Sequence, residues 1–132
     1  MSRGGFFAVD SLSSVHVVVV DDDASFREVL VSLLRYCGAL VTALATPEEA
    51  LVAMNQVKPD VIVISVGPGS AAAGLPRRVR GRKLEDGGNA PIVVVFREDA
   101  GGAVLEGVNL HMREPLNPWE LCREISALLA SG

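Results

Sequence analysis

Four consecutive valines followed by three aspartates, in the stretch VHVVVVDDD at residues 15–23, constrain the fold of this chain more than any other feature. Successive β-branched residues favour a strand, and because no polar residue alternates with them, both faces of that strand must be buried. Such strands occur in the middle of parallel sheets. The aspartates then crowd like charges at the strand's end, which is costly unless they bind something. The alternative is that they cap the next helix, whose amino end favours anions.

The rest of the chain repeats the order strand, then helix. The predicted strands cover residues 15–20, 39–45, 60–66, 92–96 and 108–112. Segments with helical spacing begin near residues 25, 47, 75, 99 and 117, and the fourth is short because Gly101 and Gly102 weaken it. Ser25 with Glu28 predicts a capping box at the first helix, and Thr46 with Glu49 predicts another at the second.

This alternation predicts an α/β fold, with a parallel sheet covered by helices on both faces. In such sheets ligands bind beyond the carboxyl ends of the strands. The candidate site is therefore the set of residues that follow the predicted strands. These residues are Asp21, Asp22, Asp23, Ser65, Phe96, Arg97, Arg113 and Glu114.

Length and composition limit the remaining possibilities. With 132 residues the chain is one domain, and its net charge of −4 argues against general nucleic-acid binding. No apolar run approaches the roughly 20 residues that span a bilayer, so we expect a cytoplasmic protein without membrane contact. Residues 1–14 are predicted to be a flexible tail, in which Phe6 and Phe7 could dock on the folded domain of residues 15–132. Cys37 and Cys122 are expected to be buried free thiols.

The order of the motifs resembles the receiver domain of bacterial two-component response regulators, over about residues 15–130. The motifs that carry the resemblance are Asp21-Asp22, Pro59-Asp60, Pro68-Gly69 and Glu114-Pro115. The resemblance implies a doubly wound (βα)5 fold with the flavodoxin-like strand order 2-1-3-4-5 and, in this chain, a shortened fourth helix. It also implies a cis bond between Glu114 and Pro115.

In that family the acidic pair binds a divalent cation beside an aspartate that accepts a phosphoryl group, and a hydroxyl residue and a lysine read the phosphate. Asp21 and Asp22 match the acidic pair, and the other positions depart from the pattern. Ser65 stands at the phosphoacceptor position, Phe96 at the hydroxyl position, Glu114 at the lysine position and His111 at an aromatic position.

These departures change the expected chemistry. An acyl phosphate needs a carboxylate nucleophile, which Ser65 lacks, and Glu114 adds negative charge where the family has a lysine. The sequence therefore predicts a degenerate receiver that is not an enzyme and is not phosphorylated at Ser65. It would act through a protein partner in a signalling pathway, and a homodimer is compatible with the resemblance.

Several alternatives stay open at this point. Asp21, Asp22 and Glu114 form either an acidic pocket that could bind Mg²⁺ through the aspartates, or a relic pocket. In the relic pocket either one carboxylate is protonated or Arg97 neutralises the charge. Asp21 and Asp23 also fit the nucleophile motif of haloacid-dehalogenase phosphatases, and phosphorylation could persist at Asp21 or Asp22. The basic run at residues 77–83 is either a solvated helix face or a surface for an acidic partner. Trp119 is either an exposed anchor for a partner or a local lid.

Overall fold

The fold is that of a computed structural model, which describes residues 11–97 and 104–131. Within these ranges, an α-helix follows each strand except β4, after which β5 is the next described element. The strands are β1 (His16–Val20), β2 (Leu40–Leu44), β3 (Val61–Val66), β4 (Ile92–Phe96) and β5 (Leu110–Arg113). The helices are α1 (Ala24–Tyr36), α2 (Pro47–Ala53), α3 (Leu75–Arg80) and α4 (Pro118–Ser131).

All five strands are parallel and lie in the order β2-β1-β3-β4-β5. This confirms the predicted fold class and strand order. The chain crosses from β2 past β1 to β3, so the direction of winding reverses at β1. The carboxyl ends of β1 and β3 therefore border the crevice where sheets of this type bind ligands.

The sheet is buried on both faces, because successive residues of a strand point to opposite sides. On one face Val17 and Val63 pack in a core with residues of α1 and α4. On the other face Val18 and Ile64 pack with residues of α2 and α3. β1, β3 and β4 therefore have no solvent-facing side, which explains their unbroken runs of valine and isoleucine.

The helix starts agree with the sequence prediction at α2 and differ at α1. At α2, Thr46 and Glu49 form the reciprocal capping box that the sequence predicts. At α1 the predicted Ser25–Glu28 box is wrong, because Oδ1 of Asp23 accepts the N–H of Phe26 at 2.9 Å. An aspartate is as good a cap as serine, and it starts the helix earlier.

α3 is shorter than the predicted segment 75–84, since it ends at Arg80 and a single 3₁₀ turn follows at Leu84–Asp86. Much of the fourth predicted helix, at 99–107, lies outside the described residues, and residues 104–107 are not helical. The Arg80 guanidinium ties this connection to the sheet. It donates to the backbone carbonyls of Gly88 at 3.1 Å, Ala90 at 2.7 Å and Gly107 at 3.0 Å. It also donates to Oδ1 of the Asn109 side chain at 2.8 Å.

The folded domain begins earlier than the predicted boundary at residue 15. Leu12 is fully buried in the α1–α4 core, and its N–H donates to the carbonyl of Cys37 at 2.9 Å. The predicted flexible tail is therefore wrong for Leu12, because an apolar contact and a backbone hydrogen bond hold it. Cys37 and Cys122 are buried free thiols, as predicted.

Candidate functional site

The candidate site lies at the carboxyl ends of β1, β3 and β4, where Asp21, Ser65 and Arg97 meet. Asp21 follows β1 directly, Ser65 is the penultimate residue of β3, and Arg97 follows β4 directly. Because these three strands are adjacent and parallel, their carboxyl ends share one edge of the sheet. Asp21 and Ser65 are both fully buried.

The guanidinium of Arg97 joins the acidic pair to Ser65. One terminal nitrogen donates to Oδ1 of Asp21 at 2.8 Å and to the hydroxyl of Ser65 at 3.1 Å. The other terminal nitrogen donates to a carboxylate oxygen of Asp22 at 2.9 Å. Only 17% of the Arg97 side chain is exposed, so its charge-assisted bonds to the fully buried Asp21 and Ser65 are largely desolvated, whereas the Asp22 side chain is 50% exposed. The structure thus agrees with the alternative in which Arg97 neutralises the pocket.

Gly67, which follows β3, leaves the space that Arg97 fills. A Cβ at residue 67 would overlap a terminal guanidinium nitrogen and would lie 2.7 Å from the central guanidinium carbon. No real Cβ makes contacts that short with atoms that stay in place. Any larger residue at 67 must therefore displace the guanidinium, and the conformation of Arg97 depends on this glycine. The sequence shows only a Gly-Pro-Gly loop here, and no pattern in it predicts this contact.

Asp21 has an unusual electrostatic environment. Burial raises the pKa of its carboxyl, and the Asp23 N–H, Arg97 and Ser65 offset that increase only in part. Oδ1 accepts the Asp23 N–H at 2.9 Å in addition to Arg97. Oδ2 is buried and accepts no hydrogen bond from the described residues. Oδ1 of Asp21 thus accepts two hydrogen bonds, whereas Oδ2 is buried without one from the described residues.

The third aspartate has a separate role. Asp23 caps α1 through Phe26, as described above, so its carboxylate serves the helix. Arg27, one turn further along, donates to the backbone carbonyl of Asp21 at 2.7 Å. Asp23 therefore orients the helix start, and this geometry gives no support to the phosphatase alternative, which needs Asp23 as an acid and base. Of the three aspartates, Asp23 caps α1, and Asp21 and Asp22 form ion pairs with Arg97.

Phe96 and His111 lie in contact on the neighbouring strands β4 and β5. Their rings are stacked, with centroids 5.9 Å apart and planes at 9°. The Arg113 guanidinium lies 5.3 Å from the centre of the Phe96 ring, a cation–π distance. Nε2 of His111 accepts the N–H of Leu105 at 3.1 Å. Phe96 therefore presents an aromatic ring at the end of β4, and this ring has no hydroxyl with which to bind a phosphate.

Glu114, the remaining predicted member of the acidic pocket, borders a different surface. Its backbone N–H donates to the carbonyl of Phe96 at 2.9 Å, and the bond to Pro115 is cis, as the resemblance implied. Glu114 borders an apolar groove with Phe26 and Leu30 of α1. In the two described ranges, no three His, Cys, Asp or Glu side chains are grouped so that they could hold a metal ion. Glu114 therefore does not complete a metal site with the aspartates.

The residues present do not fit a divalent cation in the arrangement that the structure shows. Mg²⁺ needs near-octahedral oxygen ligands, and it binds proteins through one or two carboxylates with water. The Arg97 cation already engages oxygens of Asp21 and Asp22, and Ser65 offers only a neutral hydroxyl. A second cation between these groups would have to displace Arg97.

The basic run at residues 77–83 is largely engaged within the chain. Arg77 and Arg78 form exposed ion pairs with Glu106 at 3.7 Å and with Glu48 at 3.1 Å. Arg80 donates to the Ala90 carbonyl and to the Asn109 side chain, as described above. These contacts agree with the interpretation as a solvated helix face. In the described ranges, no helix has the length and apolar character needed to cross a membrane.

Comparisons with known proteins agree with this architecture. No protein-family model matches the chain. An uncharacterised 14.6 kDa protein of Leptolyngbya boryana is 31% identical over 120 residues, which cover 87% of this chain and 90% of that protein. The DNA-binding response regulator MtrA of Mycobacterium tuberculosis is 28% identical over 117 residues, which cover 86% of this chain. The match spans 50% of MtrA, so this chain corresponds to about half of that relative.

Among solved structures, a protein described as a response regulator of Chloroflexus aurantiacus superposes with a TM-score of 0.77 at 29% identity. The match covers 89% of this chain and 99% of that one. Sequence and structure comparisons therefore lead to the same group of proteins, and the superposition extends over nearly the whole described domain.

Proposed function

Since this chain belongs to the family of response regulator receiver domains, we propose that it is a signalling domain that works without phosphorylation. The observation that carries the proposal is the position of Arg97, which bonds to Asp21, Asp22 and Ser65 together. In this proposal an internal cation takes over the neutralisation that a metal ion provides in the family. In this proposal the Arg97 guanidinium always occupies the space between Asp21, Asp22 and Ser65.

The chemistry of the surrounding positions supports the same proposal. The hydroxyl of Ser65 is fully buried and accepts a bond from a cation, which makes it a poorer nucleophile. Phe96 is stacked between strands and has no group to donate to a phosphate. A phosphoryl group at Ser65 would also need the space of the guanidinium. The proposed domain is therefore not an enzyme, and it is not switched by phosphate.

The proposal assigns the output to protein–protein contact. Receiver domains act by binding partner proteins, and a protein partner or a second copy of this chain is the proposed ligand. A net charge of −4 disfavours nucleic acid as a ligand of this domain, although MtrA as a whole is named as DNA-binding. A cytoplasmic location is part of the proposal.

The test is incubation with acetyl phosphate and Mg²⁺, followed by intact-mass measurement. The wild-type chain should gain no phosphoryl group. The matched control restores the family pattern with Ser65→Asp, Phe96→Thr and Glu114→Lys together with Arg97→Ala, and this variant should be phosphorylated. Phosphorylation of the wild type that Ser65→Ala abolishes would overturn the proposal. Phosphorylation that only Asp21→Asn or Asp22→Asn abolishes would favour residual acceptor activity at the acidic pair.

A further inference from the structure

One hydrogen bond from a histidine side chain fastens the segment that leads into β5. Nε2 of His111 accepts the backbone N–H of Leu105, which lies six residues earlier in the chain, at 3.1 Å. Leu105 belongs to residues 104–109, the described part of the connection between β4 and β5, which is neither helix nor strand. A partly buried backbone N–H outside regular secondary structure needs a partner, and here a side chain supplies it.

The neighbours of His111 hold its ring in position for this bond. The imidazole stacks on the ring of Phe96, with centroids 5.9 Å apart and planes at 9°. On the face of the sheet to which Phe96 points, Leu105 and Val108 pack against the same core. Stacking limits the rotation of the imidazole, so Nε2 stays directed at Leu105.

The carboxyl end of the connection is held by contacts that do not involve the histidine. Arg80 donates to the carbonyl of Gly107 at 3.0 Å and to the side chain of Asn109 at 2.8 Å. If the bond between His111 and Leu105 were lost, these two contacts would remain. The loss would therefore loosen the start of the segment 104–109 and leave its end anchored beside β5.

The bond to Leu105 is possible only for a neutral imidazole. A neutral histidine has one ring nitrogen with a lone pair, whereas the imidazolium carries an N–H at both nitrogens and cannot accept a hydrogen bond. A protonated His111 and the Leu105 amide would therefore present two donors to each other. Histidine is the side chain that ordinarily changes its charge between about pH 5 and pH 8.

Charged side chains lie near His111 on three parts of the described chain. These side chains are Arg113 on β5, Glu106 in the connection, and Glu120 and Glu124 on α4. Arg113 disfavours a charged imidazole, and the carboxylates on α4 favour one. The Glu106 carboxylate forms an exposed ion pair with Arg77 at 3.7 Å. Because several of these groups titrate themselves, a test must report on the Leu105 bond and not on overall stability.

We propose that His111 is a pH-dependent latch, which holds the connection at Leu105 when it is neutral and releases it when it is protonated. The segment around Leu105 borders a cavity against the start of α3. Release of the segment would change the shape of this face, so a partner that binds there would bind differently above and below the transition. The latch is independent of the proposed function, because the contacts of Arg97 take no part in it.

NMR of the isotope-labelled full chain tests the latch. The Nε2 resonance of His111 should have the shift of an unprotonated nitrogen at about pH 8 and that of a protonated nitrogen at about pH 5. The Leu105 amide proton should move upfield with the same midpoint, because it loses its acceptor. Its protection against hydrogen exchange, corrected for the intrinsic rate at each pH, should fall about five-fold, as expected for one ordinary hydrogen bond.

Two variants separate the proton from the ring. His111→Gln keeps an acceptor that does not titrate, so the Leu105 amide should stay protected over the whole range. His111→Phe keeps an aromatic ring on Phe96 without an acceptor, so the Leu105 amide should be unprotected at every pH. His16→Gln is the matched control, since His16 is the other histidine of the chain and bonds to Thr42 at 2.8 Å. In that variant the Leu105 amide should titrate as in the wild type.

The wild-type titration decides the proposal even if a variant does not fold. A Leu105 amide whose shift and protection stay constant while His111 titrates would overturn it. The same pH response in the His111→Phe variant would also overturn it, because the response would then come from another group. Neither result changes the uptake of phosphate that tests the proposed function, so the two failures are distinguishable.

Discussion

The guanidinium of Arg97 lies 2.8 Å from the fully buried carboxylate of Asp21, although 76 residues separate the two in the chain. The contact exists because β1 and β4 both flank β3 in a parallel sheet, so that the residues following them reach the same edge. It ties the first strand to the fourth across Ser65. Arg97 thus links Asp21 and Ser65 at this edge of the sheet.

Removing Arg97 should destabilise the domain strongly. Arg97→Ala leaves the buried Asp21 carboxylate without its cation, and losing one partner of a buried pair costs about 3 kcal/mol of unfolding free energy. Urea unfolding followed by circular dichroism measures this. Arg78→Ala is the control, because its ion pair with Glu48 is exposed and its loss should leave the unfolding midpoint unchanged. Equal midpoints for the two variants would contradict the buried pair.

Gly67 and Arg97 should behave as an interacting pair. Gly67→Ala should lower stability by displacing the guanidinium, and it should have little effect when Arg97 is already alanine. A double-mutant cycle on unfolding free energies measures this coupling, which should exceed about 1 kcal/mol. Gly74→Ala is the control, since nothing lies within 4 Å of a Cβ there. Additive effects of the Gly67 and Arg97 substitutions would argue against the contact.

The raised pKa of Asp21 predicts a specific pH dependence of stability. Between the ordinary value of 3.8 and the raised pKa, the folded chain binds the Asp21 proton more tightly than the unfolded chain does. The contribution of this group to the free energy of unfolding must therefore fall as the pH rises through that window. Asp21→Asn lacks the titrating group. As the pH rises through that window, the free energy of unfolding of the variant should therefore increase relative to that of the wild type. Urea unfolding at a series of pH values tests this, and a flat or opposite difference would contradict it.

The two cysteines should be protected from reagents. Burial raises the pKa of the Cys122 thiol, and contact with Cys37 raises it further, so little reactive thiolate is present at neutral pH. The disulfide reagent DTNB should label neither thiol at an appreciable rate in the native chain, and both after denaturation in urea. Absorbance of the released thiolate gives the rates. Native labelling as fast as that of a free small thiol would show that the α1–α4 core opens readily.

Local patterns predicted the elements better than they predicted the contacts between them. The capping box at Thr46 was found because both partners lie within one turn. At α1, Asp23 and Ser25 were both possible caps, and the backbone path after β1 selected Asp23. Leu12 had no periodic neighbours, so only the position of Cys37 shows that it belongs to the domain.

By itself, the sequence determined the α/β class and the family resemblance, and it placed Ser65, Phe96 and Glu114 at the ends of the third, fourth and fifth predicted strands. These properties depend on residue types and on short spacings along the chain, and both can be read directly from the sequence. The tertiary structure decided which alternative holds at the acidic edge. Whether Arg97 faces solvent or Asp21 depends on strand order and on the space that Gly67 leaves. That space forms only when three distant strands are packed side by side, because burial and charge pairing are properties of the assembled core.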